Sequence, residues 1–154
     1  MKTMTHFAGL LALLGLAAYG NTAAAATCST TVEANDAMQF NTKAIAVPAS
    51  CKQFAVTLKH SGQLPAAVMG HNLVVSKAAD AAAVGTDGMK AGAAANYVKA
   101  GDARVVAASK LIGGGQSTVM NIPVGKLKAG ESYAFFCSFP GHSSMMRGTL
   151  LLAK

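Results

Sequence analysis

Tyr133-Ala134-Phe135-Phe136-Cys137-Ser138-Phe139-Pro140-Gly141-His142-Ser143-Ser144-Met145-Met146 is the stretch on which the reading of this 154-residue chain turns. Its first five residues make an apolar run of strand length that ends in a cysteine, and Thr149-Leu150-Leu151-Leu152 begins a return strand. Between them, Pro140-Gly141 is a turn pair that can fold His142 back towards Cys137. A loop fixed at both ends by paired strands holds its side chains rigidly.

Working outward, most of the chain reads the same way. Phe54-Ala55-Val56-Thr57-Leu58-Lys59-His60 alternates apolar and polar, as a half-buried strand does. Ala44 to Val47, Leu73 to Ser76, Arg104 to Ala107, Ser117 to Ile122, Ser132 to Cys137 and Gly148 to Leu152 are further strands. Turn-formers separate them: Ser61-Gly62, Gly113-Gly114-Gly115 and Ala129-Gly130. Many short strands divided by regular turns predict an all-β sandwich or barrel. The exception lies between Ser76 and Tyr97. There Ser76 can cap a short helix opening on Lys77-Ala78-Ala79-Asp80-Ala81-Ala82-Ala83, with Gly85 and Gly88 limiting its length and Ala91 to Ala95 forming loop.

The N-terminus has a different character. Lys2, the uncharged apolar run Ala8 to Tyr19 and the small residues Thr22 to Ala26 have the three-part form of a secretory signal peptide. The apolar run is short for a membrane span. The expectation is a leader over residues 1–25, cut after Ala25 or Ala26, followed by a single exported domain over 26–154. Removing the leader takes away Lys2 and leaves 12 basic and 6 acidic residues, a net charge of +6. The lysines are scattered, with no basic run and no interleaving of bases with aromatics, which argues against nucleic-acid binding.

Three cysteines remain in the exported chain: Cys28, Cys51 and Cys137. An oxidising compartment pairs two and leaves one over. Cys28 and Cys51 both flank strand-like segments near the new N-terminus and form the natural couple. Lipid anchoring through Cys28 competes poorly, because Ala25-Ala26-Thr27-Cys28 lacks the small residue expected just before the cysteine and an upstream leucine. No stable membrane anchor is therefore expected. Cys137 is then an odd thiol, and metal ligation gives it a role.

A thiolate, an imidazole and a thioether within ten residues are soft donors that suit copper, and His71 in Val68-Met69-Gly70-His71-Asn72 can complete a His2Cys plane. Taken singly, Cys137 reads as a core cysteine, His142 as a turn histidine and the methionine as core filler. The joint arrangement points to a blue-copper site. Successive side chains alternate at the loop exit, so only one of Met145 and Met146 can face a metal, and spacing does not choose between them. His60 ends a strand without a nearby donor and reads as structural, whereas His6 leaves with the leader.

Cys137-Ser138-Phe139-Pro140-Gly141-His142, Met146 and Met69-Gly70-His71-Asn72 resemble the ligand segments of bacterial members of the cupredoxin (type 1 blue copper) family. The resemblance covers essentially the whole chain beyond the leader. Cys28 and Cys51 fall where those proteins carry their disulfide, and Val84-Gly85-Thr86-Asp87-Gly88-Met89 and Lys110-Leu111-Ile112-Gly113 are similar too. It implies an eight-stranded Greek-key β-sandwich with one short helix and one copper ion at one end. His71, Cys137 and His142 would be equatorial ligands, Met146 the axial one, and the Gly70 carbonyl a weak further contact. Backbone N–H groups of Asn72 and Phe139 would donate to the thiolate. One departure is Leu73, where many family members carry a tryptophan; this chain has none.

The same resemblance implies outer-sphere electron transfer, since four protein donors leave no open position for a substrate, unlike catalytic zinc. It also implies an apolar docking patch of Met38, Leu64, Val68, Met69, Phe139, Pro140, Gly141 and Met145 around His142. Its partners would be redox proteins such as c-type cytochromes or periplasmic reductases, met by a monomer. Two other readings remain: a copper carrier that need not cycle, and an enzyme with Cys137 as nucleophile and His142 as base. The enzyme reading has no visible third group to orient the base.

Overall fold

A computed structural model describes residues 27–154. The expected leader and its cleavage site lie outside the described residues. Nine strand segments form two packed sheets: β1 (Ser29–Asn35), β2 (Gln39–Phe40), β3 (Ala44–Pro48), β4 (Gln53–His60), β5 (Val74–Lys77), β6 (Val105–Ala108), β7 (Ser117–Pro123), β8 (Tyr133–Phe136) and β9 (Arg147–Ala153). One sheet has the order β2-β1-β4-β7 and the other β3-β9-β8-β5-β6. β2 lies in the first sheet and β3, after residues 41–43, in the second; with this crossing counted as one strand, the fold is the expected eight-stranded cupredoxin sandwich. The pairs β1–β4 and β3–β9 are parallel, and the remaining pairings are antiparallel.

Alternation builds the core. Phe54, Val56 and Leu58 of β4 point inward with Val32 and Ala34 of β1 and with Met120 and Ile122 of β7. They meet Val47, Val75, Phe135 and Leu150 from the other sheet. β8 does not alternate: Tyr133, Ala134, Phe135 and Phe136 are all buried. Its outer face is roofed by helix α2 (Ala81–Ala91), whose Ala81 and Val84 pack on Val74, Ala134 and Phe136. A strand covered on both faces needs apolar residues at every position.

Cys28 and Cys51 are disulfide-bonded with a Cα separation of 5.8 Å, and Cys137 is the free cysteine. Closing a loop with a sequence separation of 23 stabilises the fold by about 3 kcal/mol in the chain-entropy model. Among the described residues, no helix is long and apolar enough to cross a membrane.

The helix expected to start at Ser76 is displaced. Ser76 and Lys77 belong to β5, opposite Ala134 and Tyr133 of β8, so sheet pairing overrides the local preference of Lys77-Ala78-Ala79. The helix begins after Asp80 and runs through Gly85 and Gly88 to Ala91. Those two glycines are buried on its inner face and do not end it. Ala93–Ala95, expected as loop, form one 3-10 turn. A four-residue helical turn, α1 (Ala66–Met69), was not expected, whereas β1, with its β-branched Thr30-Thr31-Val32, is the strand-like segment that follows Cys28.

Candidate metal centre

Three segments converge at one end of the sandwich. His71 follows α1 and Gly70, and its backbone is held on both sides by Ile112: His71 N–H donates to the Ile112 carbonyl at 3.0 Å, and the His71 carbonyl accepts from the Ile112 N–H at 2.9 Å. Cys137 leaves β8, and its N–H donates to the Met146 carbonyl at 2.9 Å. Gly141 at φ +82° turns the chain, and the N–H of His142 donates to the Phe139 carbonyl at 3.0 Å. Pro140-Gly141 thus folds His142 over Cys137, as the sequence requires.

The donor atoms meet. Cys137 Sγ lies 3.9 Å from His71 Nδ1 and 3.6 Å from His142 Nδ1, and the ligand atoms of the three residues all lie within 4.8 Å of one another. The Gly70 carbonyl is 3.9 Å from the sulfur. His71, Cys137 and Met146 are fully buried, and His142 is 3% exposed. Met145 is 54% exposed, so of the two methionines it is Met146 that sits inside.

The protonation states suit a soft cation. His71 Nε2 lies 3.0 Å from the Asn35 carbonyl, which fixes the proton on that nitrogen and leaves the Nδ1 lone pair facing the sulfur. Burial lowers the His71 pKa to about 4 against the opposing pull of that carbonyl, and burial also lowers His142. Burial pushes the Cys137 thiol up to about 11, partly offset by the N–H groups of Asn72 and Phe139. Only a cation placed between these groups reverses that penalty on the thiolate. The donor set therefore fits copper: two neutral imidazoles, one thiol awaiting a positive charge and a buried thioether.

One consequence is measurable without metal. The folded pKa of His71 lies below its ordinary 6.5, so over that interval the unfolded chain binds the extra proton. Stability is complete above about pH 6.5 and is lost as pH falls towards about 4. At about 1.4 kcal/mol per unit, the metal-free protein should lose on the order of 2–3 kcal/mol between neutral pH and about pH 4.5. Urea midpoints at the two pH values check this, and equal midpoints would exclude a buried neutral His71.

His60 ends β4 as expected and is not among the three residues whose ligand atoms meet: its Nε2 lies 3.0 Å from Asp36 Oδ1, and its ring centroid is 4.4 Å from that of His71. Asp36 sits in the β1–β2 turn, where backbone N–H groups of Gln63 and Leu64 hold its carboxyl below the usual range. Asn72 does more than offer its backbone N–H. Its buried amide accepts from Ser138 N–H at 2.8 Å and donates to Ser138 Oγ at 2.8 Å and to the Asn96 carbonyl at 2.7 Å. Of the residues expected in the docking patch, Val68 is 59% exposed and Leu64 39%, Pro140 and Gly141 are exposed, and Met38, Met69 and Phe139 are partly buried.

A model of copper-binding proteins of the plastocyanin/azurin family matches residues 26–153. Azurin of Alcaligenes faecalis is 59% identical over 127 residues, covering 82% of this chain and 99% of that protein. Azurin-2 of Alcaligenes xylosoxydans xylosoxydans is 60% identical over 129 residues, covering 84% of this chain and 100% of that protein. Among solved structures, an azurin (Az-iso2) from the obligate methylotroph Methylomonas sp. strain J superposes with a TM-score of 0.81 at 48% identity, covering 84% of this chain and 100% of that one. With the donors gathered at one end of the sandwich and these likenesses spanning the described domain, the chain belongs to the plastocyanin/azurin family of copper-binding proteins.

Proposed function

We propose that this blue copper electron-transfer protein works by outer-sphere exchange between redox proteins in the periplasm, after removal of residues 1–25. The observation that carries the reading is the buried meeting of His71 Nδ1, Cys137 Sγ and His142 Nδ1, with each imidazole held neutral. Those three atoms would hold the ion, with the Met146 thioether and the Gly70 carbonyl as weaker contacts. Copper bound there supplies a one-electron Cu(II)/Cu(I) couple.

The chain's own residues set the conditions. Burial of the whole donor set favours the less charged, reduced form, since a net charge is costly in an apolar surround. The N–H groups of Asn72 and Phe139 act in the same direction by drawing electron density from the sulfur. The strand pairings at both ends of the 137–146 loop hold the donors still, which keeps reorganisation small. His142 lies just beneath the surface within the apolar patch and is the natural exit. A patch of this kind suits brief docking with c-type cytochromes or periplasmic reductases, met by a monomer. The nucleophile reading is disfavoured because burial keeps the Cys137 thiol protonated at neutral pH and the structure gives His142 no carboxylate partner among the described residues.

A visible spectrum after addition of Cu(II) tests the reading. An intense blue charge-transfer band that bleaches with ascorbate and returns on reoxidation is expected. Copper bound without that band, or a couple that does not cycle, would move the carrier reading ahead. Met69→Lys should leave the colour unchanged and slow exchange at least about tenfold, because a lysine charge must be desolvated at the contact. Unaltered rates in self-exchange and with every partner would exclude the patch as the gateway.

A further inference from the structure

The excursion between β5 and β6 carries an unusual pair. Asn96 and Tyr97 are consecutive non-glycine residues with φ of 54° each, a left-handed conformation that asparagine adopts readily and tyrosine rarely. Such strain persists where surrounding contacts over-determine it. Here both carbonyls reach the metal-site loops. The Asn96 carbonyl accepts from Asn72 Nδ2 at 2.7 Å, and the Tyr97 carbonyl accepts from Ser138 Oγ at 2.7 Å. Asn96 Oδ1 accepts from the N–H of Leu111 at 2.9 Å, which ties the pair to the segment whose Ile112 bridges His71.

The Tyr97 ring continues the contact. It packs edge-on against Phe139 at 5.2 Å between centroids, and Phe139 in turn lies 4.6 Å from the His142 ring. Behind the pair stands α2. A Cβ added at Gly88 would run into the Tyr97 carbonyl, so only glycine lets helix and turn approach this closely. The helix is anchored in its turn by Arg104, which donates to Asp87 at 2.7 Å and to Asp102 at 2.8 Å. None of Gly88, Asn96 or Tyr97 is a metal donor. Yet the contacts from them end on Asn72, Ser138 and Phe139, the residues that surround the Cys137 sulfur.

We infer that Tyr97 is a positioning residue of the copper site: with Gly88 beneath it, it latches the Cys137-Ser138-Phe139 backbone so that the N–H groups of Asn72 and Phe139 stay aimed at the sulfur. This rests on the ligand reading above. Its energetic logic is preorganisation, in which an outer contact fixes the groups that tune the metal. The tyrosine hydroxyl has no part in the latch, whereas the ring and the carbonyl do.

The test uses the full mature chain with three substitutions: Tyr97→Ala, Tyr97→Phe and Gly88→Ala. Two readouts are taken. One is the reduction potential of the copper-loaded protein; the other is the alkylation rate of Cys137 in the metal-free protein. Tyr97→Ala should shift the potential downward, because a thiolate with weaker N–H donors gives more density to Cu(II) and stabilises it. The same variant should raise the alkylation rate at least about tenfold by loosening the loop over the sulfur. Tyr97→Phe should restore both wild-type values. Gly88→Ala keeps every side chain of the latch, displaces the Tyr97 carbonyl and should shift both readouts in the Tyr97→Ala direction. A folded Tyr97→Ala with wild-type potential and alkylation rate overturns the inference. If Tyr97→Ala does not fold, unchanged readouts in Gly88→Ala overturn it instead. A wild-type protein without the blue band would sink the ligand reading alone, since the metal-free alkylation rates still decide the latch.

Discussion

Cys137→Ser is expected to abolish the blue band completely while leaving a folded protein. The intense colour of such a site needs a thiolate donor, and Cys137 is the free cysteine of the described chain. Serine has nearly the same shape, and its hydroxyl would meet the same backbone N–H groups of Asn72 and Phe139 that face the sulfur. The fold should therefore lose no more than about 1–3 kcal/mol, the range for imperfect pairing of one buried polar group. Copper affinity should fall far more. Losing even a supporting group around a metal typically costs about 10–100-fold, and here the charged donor itself is lost, because a serine hydroxyl does not ionise near neutral pH. Absorption, copper titration and thermal unfolding of the same sample check the three statements together. A variant that stayed blue would remove Cys137 from the site. A variant that unfolded would mean that the sulfur is mainly a packing group, and the structural reading of Cys137 would regain its place.

The site was legible in the sequence to the extent that its chemistry is local. Cys137, His142 and Met146 sit on one loop, and a turn pair between the first two dictates the approach that the structure contains. Burial, which separates Met146 from Met145, is not a local property, and spacing leaves the two equivalent. His60 shows the same limit more sharply. Its partner Asp36 stands 24 residues upstream, at the end of a strand whose parallel pairing with β4 is a long-range event. Tyr97 leaves no trace of its left-handed turn in the sequence, since tyrosine, unlike glycine or the neighbouring Asn96, is not a residue type that favours one. The helix was misplaced for a related reason. Lys77-Ala78-Ala79 has good helix propensity, but Lys77 and Ser76 are committed to β8 by ladder pairing, and pairing is worth more than a few tenths of a kcal/mol of preference. Strands whose two faces differ, such as β4, declared themselves by alternation; β8, roofed by α2, declared itself only by length and its aromatic content.

The packing around Phe135 gives the second large effect. Phe135 is fully buried between the sheets, with its ring 5.8 Å from Phe40, and its backbone is paired with Gly148 across β8–β9 and with Val75 across β5–β8. A Cβ built on Gly148 would overlap the Phe135 ring and approach the Lys43 carbonyl at 2.6 Å, so glycine there leaves the space that the ring fills. Phe135→Ala should cost about 3–5 kcal/mol, the range for emptying an aromatic site in a core that collapses only partly. Gly148→Ala should also destabilise, by about 1–3 kcal/mol, through overpacking. The two are coupled. With the ring gone, the alanine methyl enters part of the vacated space, so the double variant should be more stable than the sum of the single losses by about 0.5–3 kcal/mol. Some cost must remain, because the Lys43 carbonyl is backbone and cannot move aside freely. Denaturant unfolding of the four proteins, metal-free and at one pH, measures the cycle. Strict additivity would mean that the Gly148 requirement comes from Lys43 and not from the ring. The copper colour is a separate readout: Cys137 lies two residues beyond Phe135, just past the end of β8, so a retained band in folded Phe135→Ala would show that the loop ends are fixed by ladder hydrogen bonds. A shifted band would show instead that the sandwich core transmits its packing to the ligands.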